Sequence, residues 1–180
     1  MASTATSTQQ GRSNFSQVFV LIIDESSFGL KLVAEICRAN GIGSIHSART
    51  TQGGLKILEA GSVNVVICDW GRAPNDGPTF VRRVRAHKDE RTRQAPIILA
   101  KANPTPADIA AAREAGVTEF LARPFSEAAL TTRLQAILGK PRQFVSATDF
   151  IGPDRRRRDE GSNDSLQRRD ADTAPPVPKA

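Results

Sequence analysis

Two short apolar runs that each end in acidic residues constrain the fold more than any other feature of the chain. Residues 18–23 (VFVLII) lead into Asp24 and Glu25, and residues 63–68 (VNVVIC) lead into Asp69. Short runs rich in β-branched residues are typical of strands buried on both faces of a parallel sheet. Ligands bind beyond the carboxyl ends of such strands, so three carboxylates are expected to meet there. Because close carboxylates repel each other, the sequence predicts an acidic pocket suited to a divalent cation such as Mg²⁺.

Strand and helix patterns alternate along the chain from residue 18 to residue 138. Five βα units of this size imply an α/β fold, namely a (βα)5 doubly wound parallel sheet of the flavodoxin type with right-handed crossovers. The strands are predicted at 18–23, 44–48, 63–69, 96–100 and 117–122, and the helices at 28–40, 50–60, 79–88, 105–116 and 126–139.

Length and composition predict one domain with two flanking segments. The chain has 180 residues, which suffices for one buried core. Residues 1–16 are polar and expected to be disordered, residues 17–140 are expected to form the domain, and residues 141–180 hold too few apolar side chains to fold by themselves. This last segment is predicted to be an arginine-rich, largely disordered tail.

The sequence predicts a cytoplasmic protein that is not an enzyme in the usual sense. No apolar stretch approaches the roughly 18 residues of a membrane span, and the first residues lack the apolar core of a secretory signal. Cys37 and Cys68 fall in a predicted helix and a predicted strand, as expected for small core residues in a reducing compartment. The sequence contains no Ser/His/Asp triad, zinc-type thiol spacing or Walker loop.

Four short motifs resemble those of the CheY-like receiver domains of two-component response regulators, over about residues 18–140. The motifs are Asp24-Glu25, Asp69, Asp76-Gly77 and Arg123-Pro124-Phe125. The resemblance implies that Asp69 accepts a phosphoryl group from a histidine kinase. It also implies that Asp24 or Glu25, Asp69 and a backbone carbonyl near Gly71 bind Mg²⁺, whose charge makes a carboxylate usable as an acceptor.

The chain departs from the receiver pattern at three switch positions. Lys101 follows strand four where receivers carry Ser or Thr, Arg123 replaces a lysine, and Phe120 is the strand-five aromatic residue without a hydroxyl. Arg is planar and larger than Lys, so the exchange at residue 123 is not neutral. Lys101 is expected to reach the acidic pocket and pair with Asp69, which would weaken or abolish phosphorylation-dependent switching. The alternative is that Lys101 points to solvent and Asp69 is phosphorylated normally.

The tail carries two arginine blocks, GPDRRRRDEG at residues 152–161 and QRRD at residues 167–170. Residues 141–180 contain 8 basic and 7 acidic side chains, so the balance is 8 − 7 = +1 and the tail is not a simple polycation. Arg presents a planar fork that matches guanine O6 and N7, and Asp accepts from the N1–H and amino edge of guanine. This mixture favours a small guanine-containing anion around which the tail becomes ordered.

A receiver with such an extension resembles the CheY-like cyclic di-GMP effectors of bacteria with polar flagella. The resemblance implies docking on a protein partner, such as the flagellar motor switch, through the fourth helix, fifth strand and fifth helix of the predicted order. The candidate cyclic di-GMP contacts are Asp154, Arg155, Arg156, Arg157, Arg158, Asp159, Arg168, Arg169 and Asp170.

Three other interpretations stay open. In the first, the tail is only a solvated charged segment, as charge runs usually are. In the second, the protein is a conventional single-domain response regulator that accepts a phosphoryl group at Asp69 from a histidine kinase. The third and least favoured is contact with RNA or DNA, extended by a basic helix face that is more simply explained as solvent-exposed. That face comprises Arg82, Arg83, Arg85, Lys88, Arg91 and Arg93.

Overall fold

The structure, a computed structural model, describes residues 15–61, 63–71, 76–139, 142–147 and 150–154. Within these ranges the strands are β1 Phe19–Ile23, β2 Ser44–Ala48, β3 Val65–Asp69, β4 Ile97–Ala102, β5 Glu119–Arg123, β6 Phe144–Ala147 and β7 Phe150–Pro153. The helices are α1 Ser27–Ala39, α2 Thr51–Glu59, α3 Asp76–Arg85, α4 Glu90–Gln94, α5 Pro106–Glu114 and α6 Glu127–Gly139.

Strands β1 to β5 form one parallel sheet in the order β2-β1-β3-β4-β5, covered by helices on both faces. Leu21, Val66 and Leu99 face a core layer that contains side chains of α2, α3 and α5. Val20 and Ile67 face the opposite layer, which contains side chains of α1 and α6. The predicted doubly wound α/β fold is confirmed.

Polar caps explain where several of the helices begin. The Ser26 and Thr50 hydroxyls accept from the backbone N–H groups of Gly29 and Gly53, respectively. Thr105 and Asp108 form a reciprocal capping box at the start of α5, as their spacing predicts. Such caps satisfy backbone donors that a helix leaves unpaired at its first turn.

A short helix and a β-hairpin were not predicted. Helix α4 has five residues and is capped by Asp89, so the predicted fourth and fifth helices correspond to α5 and α6. Strands β6 and β7 pair antiparallel within the segment expected to be a largely disordered tail. Backbone pairing between two four-residue strands orders the start of that segment, and the expectation of a largely disordered tail stays a prediction for the residues that follow.

The hairpin contacts the domain near the amino-terminal ends of β4 and β5. The guanidinium carbon of Arg85 lies 5.2 Å from the ring centroid of Phe144, and Arg142 Nη2 lies 2.7 Å from Glu119 Oε1. Near the start of the described chain, Phe15 packs against the core layer of α1 and α6. In the described ranges, no helix is long and apolar enough to cross a membrane.

Candidate functional site

Asp24 lies directly after β1 and is fixed at the carboxyl end of the sheet. Its side chain is 3% exposed, and its Oδ1 accepts a hydrogen bond of 2.8 Å from the backbone N–H of Ser26. Gly29 of α1 packs so closely on this carboxylate that a side chain at residue 29 would collide with it. Local backbone packing therefore sets the position of Asp24.

Asp69 is the last residue of β3 and lies at the same edge. Ile23 and Cys68 are register partners, so the residues that follow β1 and end β3 are neighbours. The Asp69 side chain is 22% exposed, and its Oδ2 accepts from the backbone N–H of Gly71 at 3.2 Å. Burial raises the pKa of Asp69 above its usual value, with Asp24 adding to the increase, while Arg123 and the Gly71 hydrogen bond oppose it.

Arg123 connects the two carboxylates from the end of β5. Its Nη2 donates to Asp24 Oδ2 at 2.7 Å, and its Nε lies 3.1 Å from Asp69 Oδ1 as an ion pair without hydrogen-bond alignment. Strand β4 lies between β3 and β5, and its register partners of Asp69 and Arg123 are Ala100 and Ala102, two residues with small side chains. A guanidinium thus occupies the place between the two acids where a cation is expected.

The remaining acidic residues of the pocket lie near its edge. The Glu25 backbone carbonyl accepts from Arg49 Nη2 at 3.0 Å. A Cβ at Gly71 would stand 3.6 Å from Glu25 Oε1 and 3.4 Å from Asp76 Oδ2, so both carboxylates lie beside this turn. Gly71 itself has a φ of +74°, a conformation that favours glycine. The sequence analysis noted Asp76 as part of a motif and gave it no role.

The predicted Mg²⁺ site fits by donor chemistry but not by the arrangement present. Carboxylate oxygens suit Mg²⁺, and Asp24, Glu25 and Asp69 lie at one edge, as predicted. However, Arg123 already contacts both Asp24 and Asp69. Across the described ranges, no group of three His, Cys, Asp or Glu residues is arranged to hold a metal ion. Mg²⁺ binding by these residues stays a prediction that requires Arg123 to move.

Lys101 does not pair with Asp69, which corrects the sequence-based expectation. Its Nζ lies 3.8 Å from Asp108 Oδ1 and 4.8 Å from the ring centroid of Trp70. Side chains alternate between the faces of a strand, so Lys101 shares a face with Leu99, on the side covered by α3 and α5. Asp69 lies on the other face, which explains why the pairing does not form.

Phe120 and Trp70 meet beside the pocket. Their ring centroids are 6.4 Å apart at an interplanar angle of 79°, an edge-to-face contact. Trp70 is buried and Phe120 is partly buried against the same core layer. Phe120 is a predicted switch position, whereas Trp70, which directly follows Asp69 in the sequence, is not among the predicted site residues.

Of the nine candidate cyclic di-GMP residues, Asp154 alone lies within the described residues. Its backbone N–H donates to the Gln143 carbonyl at 2.8 Å, at the base of the hairpin. The other eight are Arg155, Arg156, Arg157, Arg158, Asp159, Arg168, Arg169 and Asp170, which lie outside the described ranges.

The basic face considered for nucleic acids is smaller than the sequence suggests. Arg82, Arg83, Lys88 and Arg91 are exposed, but Arg85 is only 3% exposed. Arg85 donates to the carbonyls of Gly116, Arg93 and Ala95, so it is a structural residue. Burial lowers the pKa of Arg85 to about 10. The helical pattern did not indicate that Arg85 turns inward.

Comparison with known proteins shows which family and which relatives this chain resembles. The model of the response regulator receiver domain matches residues 20–135. Chemotaxis protein CheY-3 of Vibrio cholerae is 27% identical over 118 residues, which is 66% of this chain and 89% of the relative. Chemotaxis protein CheY1 of Helicobacter pylori is 27% identical over 121 residues, covering 67% of this chain and 96% of the relative.

Solved structures show the same fold. A response regulator from Chloroflexus aurantiacus, 26% identical, superposes with a TM-score of 0.60 over 68% of this chain and 99% of its own. The receiver domain of sensor histidine kinase PA1611 from Pseudomonas aeruginosa, 24% identical, has a TM-score of 0.60 over 68% of this chain and 98% of its own. That protein is described with a magnesium ion coordinated in its active site cleft.

Proposed function

This chain belongs to the response regulator receiver domain family, and we propose that it is a receiver held in one state by its own arginine. The proposed signal is cyclic di-GMP, bound through the C-terminal arginine segment, and the receiver acts as a docking module for a protein partner. The observation that carries the proposal is the Arg123 guanidinium between Asp24 and Asp69.

Arg123 supplies the charge that a divalent cation supplies in an acidic pocket. Entry of Mg²⁺ requires breaking two short contacts, one of them to a carboxylate that is 3% exposed. Mg²⁺ would compensate the two carboxylates but would leave the displaced Arg123 guanidinium without these partners, so the displacement has a cost. The residue in register with Asp69 is Ala100, which has no hydroxyl to contact a phosphoryl group. Both features support weak phosphorylation-dependent switching.

The arginine segment supports nucleotide binding by its composition and by its point of attachment. Arg155 follows Asp154 directly in the sequence, and Asp154 is anchored to Gln143 at the base of the hairpin. Asp154, the residue that precedes the segment in the sequence, therefore has a defined place on the domain. The arginines of the segment match guanine O6, N7 and phosphate, and the interspersed aspartates match the N1–H and amino edge. Cyclic di-GMP offers two guanines and two phosphates to such a segment.

The proposed partner surface consists of α5, β5 and α6. These elements correspond to the helix four, strand five and helix five of the sequence analysis. The relatives from Vibrio cholerae and Helicobacter pylori are named chemotaxis proteins, which supports a role in motility. Docking on the flagellar motor switch, in a cytoplasmic and non-enzymatic role, completes the proposal.

Calorimetric titration with cyclic di-GMP tests the arginine segment. We expect the full chain to bind, and we expect a variant with Arg155, Arg156, Arg157 and Arg158 changed to alanine to bind at least 100-fold more weakly. Each bidentate contact of arginine to guanine contributes about 1–3 kcal/mol, so the loss of three contacts costs at least about 3 kcal/mol, which corresponds to roughly 100-fold or more in affinity.

A matched control removes four positive charges elsewhere. Arg82, Arg83, Lys88 and Arg91 are exposed residues of α3, α4 and their connection, and alanine at all four gives the same change in net charge. We expect this control to bind cyclic di-GMP as the unchanged chain does. Equal weakening in both variants, or no heat with the unchanged chain, would overturn the proposal. Binding of duplex DNA with a steep salt dependence would favour the nucleic-acid interpretation instead.

The second candidate function is conventional phosphoryl acceptance at Asp69. It is favoured by the partial exposure of the Asp69 carboxylate and by the family itself. Incubation with acetyl phosphate and Mg²⁺, followed by intact mass measurement, separates the two functions. If Arg123 occupies the acidic pocket as proposed, the protein is expected to stay largely unmodified. One added phosphoryl group, abolished by Asp69→Asn, would favour this second function and a histidine kinase as partner.

A further inference from the structure

A cavity of about 340 Å³ lies between the β6–β7 hairpin and the amino-terminal ends of β4 and β5. Six of its lining residues carry the argument: Gln94, Glu119, Arg142, Gln143, Phe144 and Pro153. The acidic pocket lies at the carboxyl ends of the parallel strands, so the two sites are at opposite ends of the sheet. Of these six residues, Pro153 alone belongs to a motif singled out in the sequence, the block at residues 152–161.

The hairpin wall of the cavity is held by buried contacts. Arg85 is bound to three backbone carbonyls, and its guanidinium packs on the ring of Phe144. Gly116 lies against the carbonyl of Ile151 so closely that a Cβ would collide with it. Pro153 is buried and is the register partner of Phe144. These contacts hold the hairpin wall of the cavity in place, and a wall held before a ligand binds lowers the cost of binding.

The polar groups of the cavity match one base in particular. Glu119 offers a carboxylate and Arg142 a guanidinium, already 2.7 Å apart across the cavity wall. Guanine presents N1–H and amino donors on one edge and the acceptors O6 and N7 on another, which suit a carboxylate and a guanidinium respectively. Adenine presents an amino donor where guanine presents O6, so it would face Arg142 with the wrong polarity.

The size of the cavity limits what it accepts. Ligand cavities span about 300–1,000 Å³, and this one falls at the small end of that range. It thus suits a single base rather than a whole cyclic dinucleotide. Phe144 and Pro153 supply an apolar wall next to the polar pair. The candidate arginine segment starts two residues after Pro153, at Arg155.

We propose that this cavity is a guanine-binding subsite, in which Glu119 and Arg142 read one base of the dinucleotide. This inference rests on the proposed function for the identity of the ligand and adds a site on the folded domain. Under the proposed function the rest of the ligand is assigned to the arginine segment, which is not part of this subsite.

Affinity measurements on the full chain test the subsite. Glu119→Gln keeps the shape of the side chain but places an amide donor against the N1–H edge of guanine. We expect Glu119→Gln and Arg142→Gln each to weaken cyclic di-GMP binding at least tenfold in calorimetry. We also expect Glu119→Gln to reduce the preference for cyclic di-GMP over cyclic di-AMP. Glu114→Gln, an exposed residue of α5 that does not line the cavity, is the matched control and is expected to bind normally.

Amide chemical shifts give a second readout that does not depend on a variant. On addition of cyclic di-GMP to the unchanged chain, the amides of Thr118, Glu119 and Gln143 are expected to shift. Normal affinity in both cavity variants, with no shift at these amides, would overturn the subsite. If the four-arginine variant still loses binding, the proposed function stands without the subsite. Absence of binding by the unchanged chain would overturn both.

Discussion

Arg123 holds two acidic side chains that would otherwise repel each other at the end of the sheet. Asp24 is almost fully buried and has one oxygen on the Ser26 N–H and the other on Arg123. Asp69 is more exposed, and its pKa is raised even with Arg123 beside it, because burial outweighs the attraction of the guanidinium. The pocket therefore depends on this one cation for its charge balance.

Arg123→Ala is expected to destabilise the domain by about 3 kcal/mol, the low end of the range for removing one partner of a buried pair. The low end applies because 24% of the Arg123 side chain is exposed. Mg²⁺ is expected to raise the melting temperature of this variant, since a cation that binds only the folded state stabilises it. The same addition is expected to leave the unchanged chain unaffected.

Arg38→Ala is the matched control for the loss of an arginine. Its pair with Glu35 is exposed on both sides, so the expected change is at most about 1 kcal/mol. Thermal unfolding with and without Mg²⁺ measures all three proteins. A melting temperature of Arg123→Ala equal to that of the unchanged chain would contradict the role given to Arg123.

The raised pKa of Asp69 makes a prediction about pH. A carboxyl whose folded-state pKa lies above its unfolded value of about 3.8 keeps its proton longer in the folded state. The stability that the protonated Asp69 contributes is therefore lost as pH rises from the unfolded-state pKa to the higher folded-state pKa. Asp69→Asn is expected to flatten this part of the stability curve and to be more stable than the unchanged chain at neutral pH. Urea unfolding from pH 3 to pH 7 measures both, and parallel curves would contradict the assignment.

At the scale of elements, the β6–β7 hairpin is an extension that the five βα units do not require. Its contacts run to Arg85 at the end of α3, to Gly116 before β5 and to Glu119 at the start of β5. These three points surround the amino-terminal ends of β4 and β5. The hairpin thereby carries the chain from α6 to the place where the arginine segment begins.

Gly116→Ala tests the hairpin contact. Gly116 has a φ of +89°, and an added Cβ would collide with the Ile151 carbonyl. Gly61 has a φ of +90° with open space around it, so Gly61→Ala carries the same backbone strain of roughly 1–2 kcal/mol without the collision. We expect Gly116→Ala to lose more stability and to increase amide exchange in β6 and β7. Equal effects of the two substitutions would show that the hairpin does not pack there.

Strand parity explains both a success and a failure of the sequence-based prediction. The apolar runs fixed the order of the five βα units and placed Asp24 and Asp69 at one edge. The same alternation puts Arg123 on the face of Leu121 and Lys101 on the face of Leu99. Strand parity thus favours Arg123 over Lys101 as the partner of Asp69. The expected pairing of Lys101 with Asp69 took account of the position of Lys101 near the end of its strand and not of the face on which it lies.

At the scale of the whole molecule, the local strand and helix patterns of the sequence were sufficient to predict the five βα units but not the β6–β7 hairpin. Each strand of the hairpin has only four residues, and its stability comes from contacts with side chains far away in the sequence, such as Arg85 and Glu119. The inward orientation of Arg85 likewise depends on carbonyls of three separate segments. Such long-range contacts leave no periodic signal in the sequence.

The two ends of the sheet have different proposed tasks. At one end, Arg123 holds Asp24 and Asp69 together. At the other end lie the hairpin and its cavity, and Pro153 of the cavity wall is two residues before Arg155 in the sequence. We therefore expect ligand binding at the second end to proceed without chemistry at the first.

Titration of the unmodified full chain with cyclic di-GMP tests this central claim most directly. One titration is run with acetyl phosphate and Mg²⁺, and the other with EDTA and no phosphoryl donor. The account predicts saturable binding with the same affinity in both. No binding in either condition, or binding that requires acetyl phosphate and Mg²⁺, would contradict it.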